Sequence, residues 1–376
     1  MLGKLIPKKR ARAARDTRAK TARQEASSDY LPEHMGHRRS DCWWDPIYNP
    51  DLEGKLQRCT WDFSDNSGPS GQFIYGPTLS EKVSPGDTFK LHKVTFKNCD
   101  FQGEFDPRTL VMFDECTFIG CDFAYSHWKD AHFRKCVFEK CSISLASFDR
   151  CEFRDNTWIK IGIAGSKTDI NRTFITNPDE LIFASVSGTR ENDKTFEHRM
   201  YQWFRLQGTR AHLARSIFKS HEQVGDDRTF YNTVKTHDLQ ESFSRISRSL
   251  YELFYGEWPS RVRALLAIFA LALENIILRF FGVTNGWGAS PTRPLIFLAA
   301  IWIVFAKIYS RFPEITDPAS PYQKSFNITI LAGYSNEYAV SNTPCLDFMQ
   351  NLNVGFAIIF YSVFVGTVIS RFSRVR

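Results

Sequence analysis

The stretch that decides the fold reads FDECTFIGCDFAYSHWKDAHFRKCVFEKCSISLASFDRCEFRDNTWIKIGI and runs from Phe113 to Ile163. A large apolar residue occupies every fifth position of it, and a mostly small residue stands two positions before each one. A five-residue period fits neither the 3.6 residues of a helical turn nor the alternation of a strand. The large residues are Phe113, Phe118, Phe123, Trp128, Phe133, Phe138, Ile143, Phe148, Phe153, Trp158 and Ile163.

This period predicts a square coil in which four five-residue sides make one turn of about twenty residues. Coils stack at roughly the 4.8 Å spacing of neighbouring strands, so that residues twenty apart lie above one another. The pattern thus predicts that Cys116 lies under Cys136 and Cys121 under Cys141, as small buried side chains. It also predicts two ring columns, Phe113 with Phe133 and Phe153, and Phe118 with Phe138 and Trp158.

The motif of a small residue, a polar residue and a central Leu or Phe resembles the pentapeptide-repeat family. The resemblance implies a right-handed quadrilateral β-helix, which we assign to residues 41–170. Weaker repeats precede it at Leu91, Val94, Phe96, Cys99 and Phe101, and possible earlier ones at Leu56, Cys59 and Trp61. Gln102–Leu110 shifts the phase by two residues and is predicted as a bulging loop; 64–88 is predicted as a loop insert because it is rich in Gly, Pro and Ser.

Charge and cysteine usage restrict the class of protein. Residues 1–30 hold nine basic and three acidic residues, a net charge of +6 out of +7 for the chain. We predict a basic, disordered tail over 1–40, with anionic lipid headgroups as its alternative partner. Seven of nine cysteines fall in the repeats, which predicts a reducing compartment. The outward positions of the repeats include Lys129, Arg134, Lys135, Lys140, Arg150 and Arg154. These basic side chains argue against the DNA mimicry of some family members, whose surfaces are acidic. We also expect no nucleic-acid partner.

Helical spacing follows the repeats and predicts a helical connector over 171–262. One helix contains Phe196 to Phe204, a second contains Leu213 to Phe218, and a third begins after a turn at Val224–Asp227. Aspartate in that turn is a favourable N-cap.

Two apolar runs predict membrane spans. Pro294–Phe312 is long enough for a tilted crossing, and Leu352–Ser370 has nineteen residues without a charge before three arginines. The basic flanks place both termini in the cytoplasm of a multi-pass protein of the cell inner (plasma) membrane. A third run, within 263–290, contains Glu274, Asn275 and Arg279. Because charges are costly at bilayer depth, we predict an interfacial or protein-packed helix there.

The segment between the two spans resembles the pore loop of potassium channels. Residues 291–376 would form a two-transmembrane pore-like domain with a re-entrant loop at 322–337 and a filter of backbone carbonyls. The filter-like residues are Thr329, Ile330, Leu331, Ala332, Gly333, Tyr334, Ser335 and Asn336. Leu331, Ser335 and Asn336 depart from the family's threonine, second glycine and aspartate, which weakens the expectation of strict potassium selectivity. Phe326 is predicted to pack the pore helix, and Gly355, Tyr361 and Phe364 to line or brace the second span.

No motif in the chain predicts catalysis. Gly162–Thr168 lacks the spacing of a phosphate loop, no HExxH is present, and His34, His37 and Cys42 form a weak cluster. We therefore expect no enzyme, no cofactor and no metal site.

The function expected from these features is a cation-conducting, homotetrameric channel-like protein gated by its cytoplasmic repeat domain. Its partners would be a monovalent cation, the lipid membrane and an unidentified cytoplasmic ligand or protein. Two alternatives stay open. One is a membrane-anchored scaffold that binds a protein partner through the repeats, and the other is a conditional pore-forming effector, for example in phage defence.

Overall fold

The computed structural model describes residues 57–58, 68–77, 83–84, 86–105, 110–163, 168–186, 195–312, 321–330 and 344–374. The chain divides into two compact units, Met1–Ile170 with Phe183–Glu191, and Asn171–Ile182 with Asn192–Arg376. The predicted tail 1–40, the histidine and cysteine cluster at 34–42 and the early repeat residues Leu56, Cys59 and Trp61 lie outside the described residues.

The first unit is a β-solenoid of about four turns, in which short parallel strands stack into sheets. Strands five residues apart lie on adjacent sides of the coil, so strands about twenty residues apart become hydrogen-bonded neighbours, as Phe118 with Phe138 and Phe133 with Phe153. The strands are β1 Gln57–Arg58, β2 Gln72–Tyr75, β3 Thr88–His92, β4 Thr95–Lys97, β5 Asp100–Phe105, β6 Leu110–Asp114, β7 Thr117–Ile119, β8 Ser126–Lys129, β9 His132–Arg134, β10 Val137–Glu139, β11 Ser147–Asp149, β12 Glu152–Arg154, β13 Thr157–Ile159, β14 Ile161–Gly162, β15 Asp169–Asn171, β16 Phe174–Ile175 (in the second unit) and β17 Ser185–Val186.

Both predicted ring columns are confirmed. Phe133 stacks on Phe113 with ring centroids 5.0 Å apart and on Phe153 at 4.8 Å. Phe138 stacks on Phe118 at 4.8 Å and on Trp158 at 4.4 Å. The interplanar angles are at most 10°, because each ring repeats the backbone geometry of the ring one coil below. Stacked buried rings contribute to stability beyond their apolar area, so the columns stabilise the solenoid.

The two-residue phase shift is confirmed as well, but part of its structural interpretation is wrong. Phe96 stacks on Phe118 and Phe101 on Phe123, 22 residues apart in the chain. Gln102–Phe105 is not loop but the end of β5, which pairs with β8. The physical reason is Phe105, whose ring stacks on Trp128 at 3.7 Å and is buried.

The predicted loop insert at 64–88 also contains ordered structure. Gln72–Tyr75 forms β2, which pairs with β1 on one side and with β5 on the other. Ile74 of this strand is fully buried. The prediction of loop is therefore wrong for these residues, since one apolar side chain that reaches the core is enough to fix a four-residue side of a coil.

The cysteines of the described repeats are buried free thiols, as the small-residue position predicts. Burial raises the pKa of the Cys121 thiol, and it raises that of Cys151 to about 12. A protonated buried thiol is a poor nucleophile and metal ligand. Cys121 and Cys151 therefore serve packing.

The second unit is helical apart from β16. The connector contains α1 Pro178–Ala184, α2 Phe196–Val224 and α3 Asp227–Tyr255, followed by α4 Trp258–Asn285, α5 Thr292–Tyr309, α6 Pro321–Thr329 and α7 Pro344–Arg374. Residues 196–224 form one helix where the sequence pattern predicts two. The turn before α3 and its cap are confirmed, since the Thr229 backbone N–H donates to the Asp226 side chain at 3.3 Å.

Three helices are long and apolar enough to cross a membrane by length and composition: Trp258–Asn285, Thr292–Tyr309 and Pro344–Ser373. They include both predicted spans and the run at 263–290, which begins five residues earlier than predicted, at Trp258. The chain therefore has the character of a membrane-associated protein.

Candidate functional site

The nine-residue helix α6 packs between the two predicted spans α5 and α7. Their shared apolar core consists of Phe305 and Tyr309 from α5, Ile328 from α6 and Leu346 from α7. Tyr309 is fully buried although its phenol is polar. The three helices therefore form one packed module.

A chain of polar side chains crosses this apolar core. Thr329 at the end of α6 donates its hydroxyl proton to the Asn353 side-chain oxygen of α7 at 3.2 Å. The Asn353 amide then donates to the hydroxyl of Tyr309 at 3.2 Å. All three side chains are at most 3 % exposed. Between helices that lipid surrounds, such bonds define depth and register where apolar contacts alone do not.

A second set of hydrogen bonds attaches the start and middle of α6 to α5. The Ser325 hydroxyl donates to the backbone carbonyl of Trp302 at 2.8 Å. The Trp302 indole N–H in turn donates to the backbone carbonyl of Tyr322 at 2.8 Å. The ring of Phe326 meets the Trp302 indole edge to face at 5.5 Å. Both ends of α6 are therefore attached to the neighbouring helices by specific contacts.

The predicted filter-like residues fall partly on this module. Thr329 is the last residue of α6, and the Ile330 backbone N–H donates to the Phe326 carbonyl at 2.9 Å. Leu331 to Asn336 lie outside the described residues. The short helix α6 thus ends where the filter-like sequence begins.

The predicted lining residues occupy exposed or half-buried positions on the module. Phe326 is 43 % exposed and Tyr361 49 % exposed, while Phe364 is half-buried. A Cβ at Gly355 would meet nothing within 4 Å. The ring of Phe326 contacts Trp302 of α5, and the predicted roles of all four residues in lining or between subunits stay predictions.

Sequence reasoning missed three residues of the module. Tyr309, Asn353 and Gln350 are at most 1 % exposed, and their polar groups lie inside the helix cluster. The signal was present, since Asn353 and Gln350 are polar residues beside or inside an apolar run. In a membrane helix such residues usually face the interior of a bundle.

The polar residues of α4, which made its membrane crossing doubtful from sequence, pair with the connector helix α3. Arg245 donates to the Glu274 carboxylate at 2.6 Å. The Asn275 amide donates to the Ser242 hydroxyl at 2.8 Å. Arg279 lies over the ring of Phe243, 5.8 Å from its centroid. The polar stripe of α4 therefore contacts α3, while Glu274 and Arg279 stay partly exposed.

The opposite side of α4 is apolar and uncovered within one chain. Its exposed large side chains are Leu265, Leu266, Phe269, Leu273, Ile276, Ile277, Phe280 and Val283. A helix with one protein-bound polar stripe and one exposed apolar face is typical of the membrane interface.

The solenoid surface carries charges of both signs, often as ladders between coils. Arg150 donates to Asp130 of the coil below at 2.8 Å. Glu115 lies between Lys93 at 3.5 Å and Lys135 at 4.0 Å. A face of alternating charge does not resemble an acidic DNA duplex.

One buried histidine marks the turn of the connector. The His221 side chain is fully buried against Phe174, and its Nδ1 atom lies 3.4 Å from a carboxylate oxygen of Asp226, without hydrogen-bond alignment. Burial lowers the pKa of His221, although Asp226 opposes the shift. The ring is therefore held in its neutral form.

Comparison with known proteins identifies the repeats and nothing else. A family model described as pentapeptide repeats matches residues 116–155 in eight copies. No curated protein and no solved structure matches the chain. The chain thus contains pentapeptide repeats followed by a helical region with candidate membrane helices.

Proposed function

We propose that the protein is a membrane ion-channel-like protein that conducts cations as a homotetramer and is regulated by its cytoplasmic pentapeptide-repeat unit. The observation that supports this proposal is the position of α6 between α5 and α7, with Thr329 bonded to Asn353 immediately before the filter-like sequence. A span, a short helix, a loop and a second span is the order that a pore loop requires.

The length of α6 supports a re-entrant segment. Nine residues rise about 14 Å along a helix, roughly half of the hydrocarbon thickness of a bilayer. Non-helical backbone at membrane depth is tolerated where protein or a water-filled cavity surrounds it. The hydrogen bonds from Ser325 and Thr329 to α5 and α7 supply the protein partners that such a segment needs.

The pairing of α4 with α3 supports a two-span topology. If α4 crossed the bilayer, the paired α3 residues Arg245 and Ser242 would have to enter it too, at high cost. An interfacial α4, with its apolar face toward lipid, avoids that cost. With two spans, both termini lie in the cytoplasm of the plasma membrane, where the free thiols of the repeats stay reduced.

The sequence of the loop favours a cation pore with weak selectivity. Backbone carbonyls of residues 330–335 would replace the water shell of the ion. Leu331 offers no hydroxyl for coordination, and Ser335 stands where a glycine would allow positive φ. Sodium and potassium should therefore permeate at comparable rates, and chloride should be excluded.

The test is ion flux through liposomes that contain the purified full-length protein. Wild type is compared with Gly333→Val, which places a branched side chain in the filter-like loop, for potassium, sodium and chloride. Asn353→Leu removes the amide that joins Thr329 to Tyr309, and Asn351→Leu is the matched control at an exposed position of the same helix.

The proposal expects cation flux in wild type and Asn351→Leu, with strong loss in Gly333→Val and Asn353→Leu. Absence of flux from folded, inserted wild type, together with a monomeric mass, would contradict it and favour a membrane-anchored scaffold. Growth arrest of host cells only under a specific trigger would favour the conditional effector.

A further inference from the structure

A cavity of about 530 Å³ lies between α3, α4 and the C-terminal part of α7. Its walls are mostly apolar and include Ile277, Phe281, Val363 and the turn residue Trp287. This volume is in the range of small-molecule sites, which are typically apolar with a few polar groups.

Two carboxylates reach the cavity from neighbouring helices. Glu274 is already bound to Arg245 at 2.6 Å. Within the described residues, Asp238 forms no hydrogen bond or ion pair, and its side chain is half-buried. Burial raises the pKa of Asp238, with a smaller upward effect of Glu241 and a downward effect of His237. A cationic group in the cavity would supply the partner that the Asp238 carboxylate lacks.

Two glycines of the cavity lining have different roles. At Gly282 a Cβ would come within 2.4 Å of the Trp287 ring, so that glycine allows the indole to pack closely against α4. At Gly366 a Cβ would meet nothing within 4 Å, although the residue lines the cavity. The space in front of Gly366 is therefore open rather than filled by packing.

We infer that this cavity binds an amphiphile with an ammonium head and an apolar body, the head at Asp238 and the body between α4 and α7. Charge complementarity selects the head, because the one unpaired ionisable group of the described wall is a carboxylate. The apolar walls select the body. Because α7 is also the second predicted span, the occupant would contact the second span of the proposed pore directly. Binding itself does not require that the pore conduct.

The probe is a dodecylamine that carries a photoreactive diazirine, with the matching dodecanoic acid as control. Each is irradiated with full-length protein in lipid nanodiscs, and labelled peptides are quantified by mass spectrometry. The amine should label the α3, α4 and α7 segments of the cavity, and the acid should not. Labelling along every lipid-facing helix, equal for both probes, would overturn the inference.

Three variants make the test specific. Asp238→Asn removes the charge and should lower amine labelling in the cavity about tenfold. Gly366→Leu fills the open space and should lower it as much, whereas Asn351→Leu places the same side chain at an exposed position of α7 outside the cavity and should not. Amide hydrogen exchange of α4 verifies that each variant is folded. Unchanged labelling in folded Asp238→Asn and Gly366→Leu would overturn the inference.

Discussion

The solenoid and the membrane module differ in what determines their contacts. In the solenoid the ring contacts of the columns repeat from coil to coil. Phe133 stacks on the equivalent residues Phe113 and Phe153 of the neighbouring coils in nearly the same geometry. In the module of α5, α6 and α7, here called the membrane module, apolar residues cover most of each helix. A few polar side chains such as Asn353 connect α6 to α5 and α7 by hydrogen bonds. The hydrophobic effect in water drives the first assembly, whereas helices that cross a bilayer, as proposed for α5 and α7, receive no comparable drive from lipid.

The largest effect is expected in the solenoid. Phe133→Ala removes a fully buried ring from the middle of a column and should cost about 3–5 kcal/mol of local stability. Ile159→Ala, at a 41 % exposed position, should cost much less. Amide hydrogen exchange in the full-length protein measures both, at β9 and its neighbours β6 and β12 for Phe133→Ala and at β13 and its neighbour β10 for Ile159→Ala. Equal effects would mean that the ring columns do not dominate stability.

The next effect concerns the membrane module. Asn353→Leu keeps a side chain of similar size but removes its polar groups, and it leaves the hydroxyls of Thr329 and Tyr309 without their shared partner. The cost should be about 1–2 kcal/mol, less than for Phe133→Ala, because membrane hydrogen bonds contribute modestly. Increased exchange of α6 amides, compared with Asn351→Leu, is the measurement. No change at α6 would show that apolar packing alone holds this helix.

A pH dependence is expected in the connector. The pKa of His221 is lower in the folded protein than its ordinary value of 6.5. As the pH falls, the unfolded state therefore takes up a proton at this residue at a higher pH than the folded state does. The stability from the neutral ring is complete above about pH 6.5 and falls as the pH drops towards the folded pKa. Exchange of the α2–α3 turn should therefore increase in acid, and His221→Phe should remove this increase. An acid response that persists in the variant would assign it to another group.

The smallest effect is expected at the exposed ion pair between α3 and α4. Arg245 and Glu274 are about half exposed, so Arg245→Ala should cost at most about 1 kcal/mol and less at high salt. Arg248→Ala, which removes an exposed pair within α3, is the control. A cost of several kcal/mol that salt does not reduce would place this pair inside the bilayer and contradict an interfacial α4.

The solenoid was predicted well from the sequence, because a five-residue period determines which residues stack on one another in neighbouring coils. The columns and the phase shift of two residues follow from spacing alone, as Phe118 with Phe138 and Phe101 with Phe123 show. Side chains outside the period were missed: Ile74 and Phe105 fill core positions that no five-residue count assigns. Right-handedness stays a prediction of the family resemblance.

The candidate site was less predictable for a physical reason. An apolar helix has no sequence period that tells which face meets which neighbour, so the partners of Thr329 and Tyr309 could not be derived. The same limit holds for α4, whose charged residues suggested a protein partner without identifying Arg245 and Ser242 of α3. The existence of polar contacts was predictable; their pairing required the structure.

The most direct test of the proposed pore is cation flux through liposomes that contain mixtures of wild-type and Gly333→Val chains. If four loops share one filter and one altered loop blocks it, an equal mixture should retain about one-sixteenth of the wild-type flux, the fourth power of one half. Flux that falls in simple proportion to the wild-type fraction would contradict a shared pore, and flux that does not fall at all would contradict a path through Gly333.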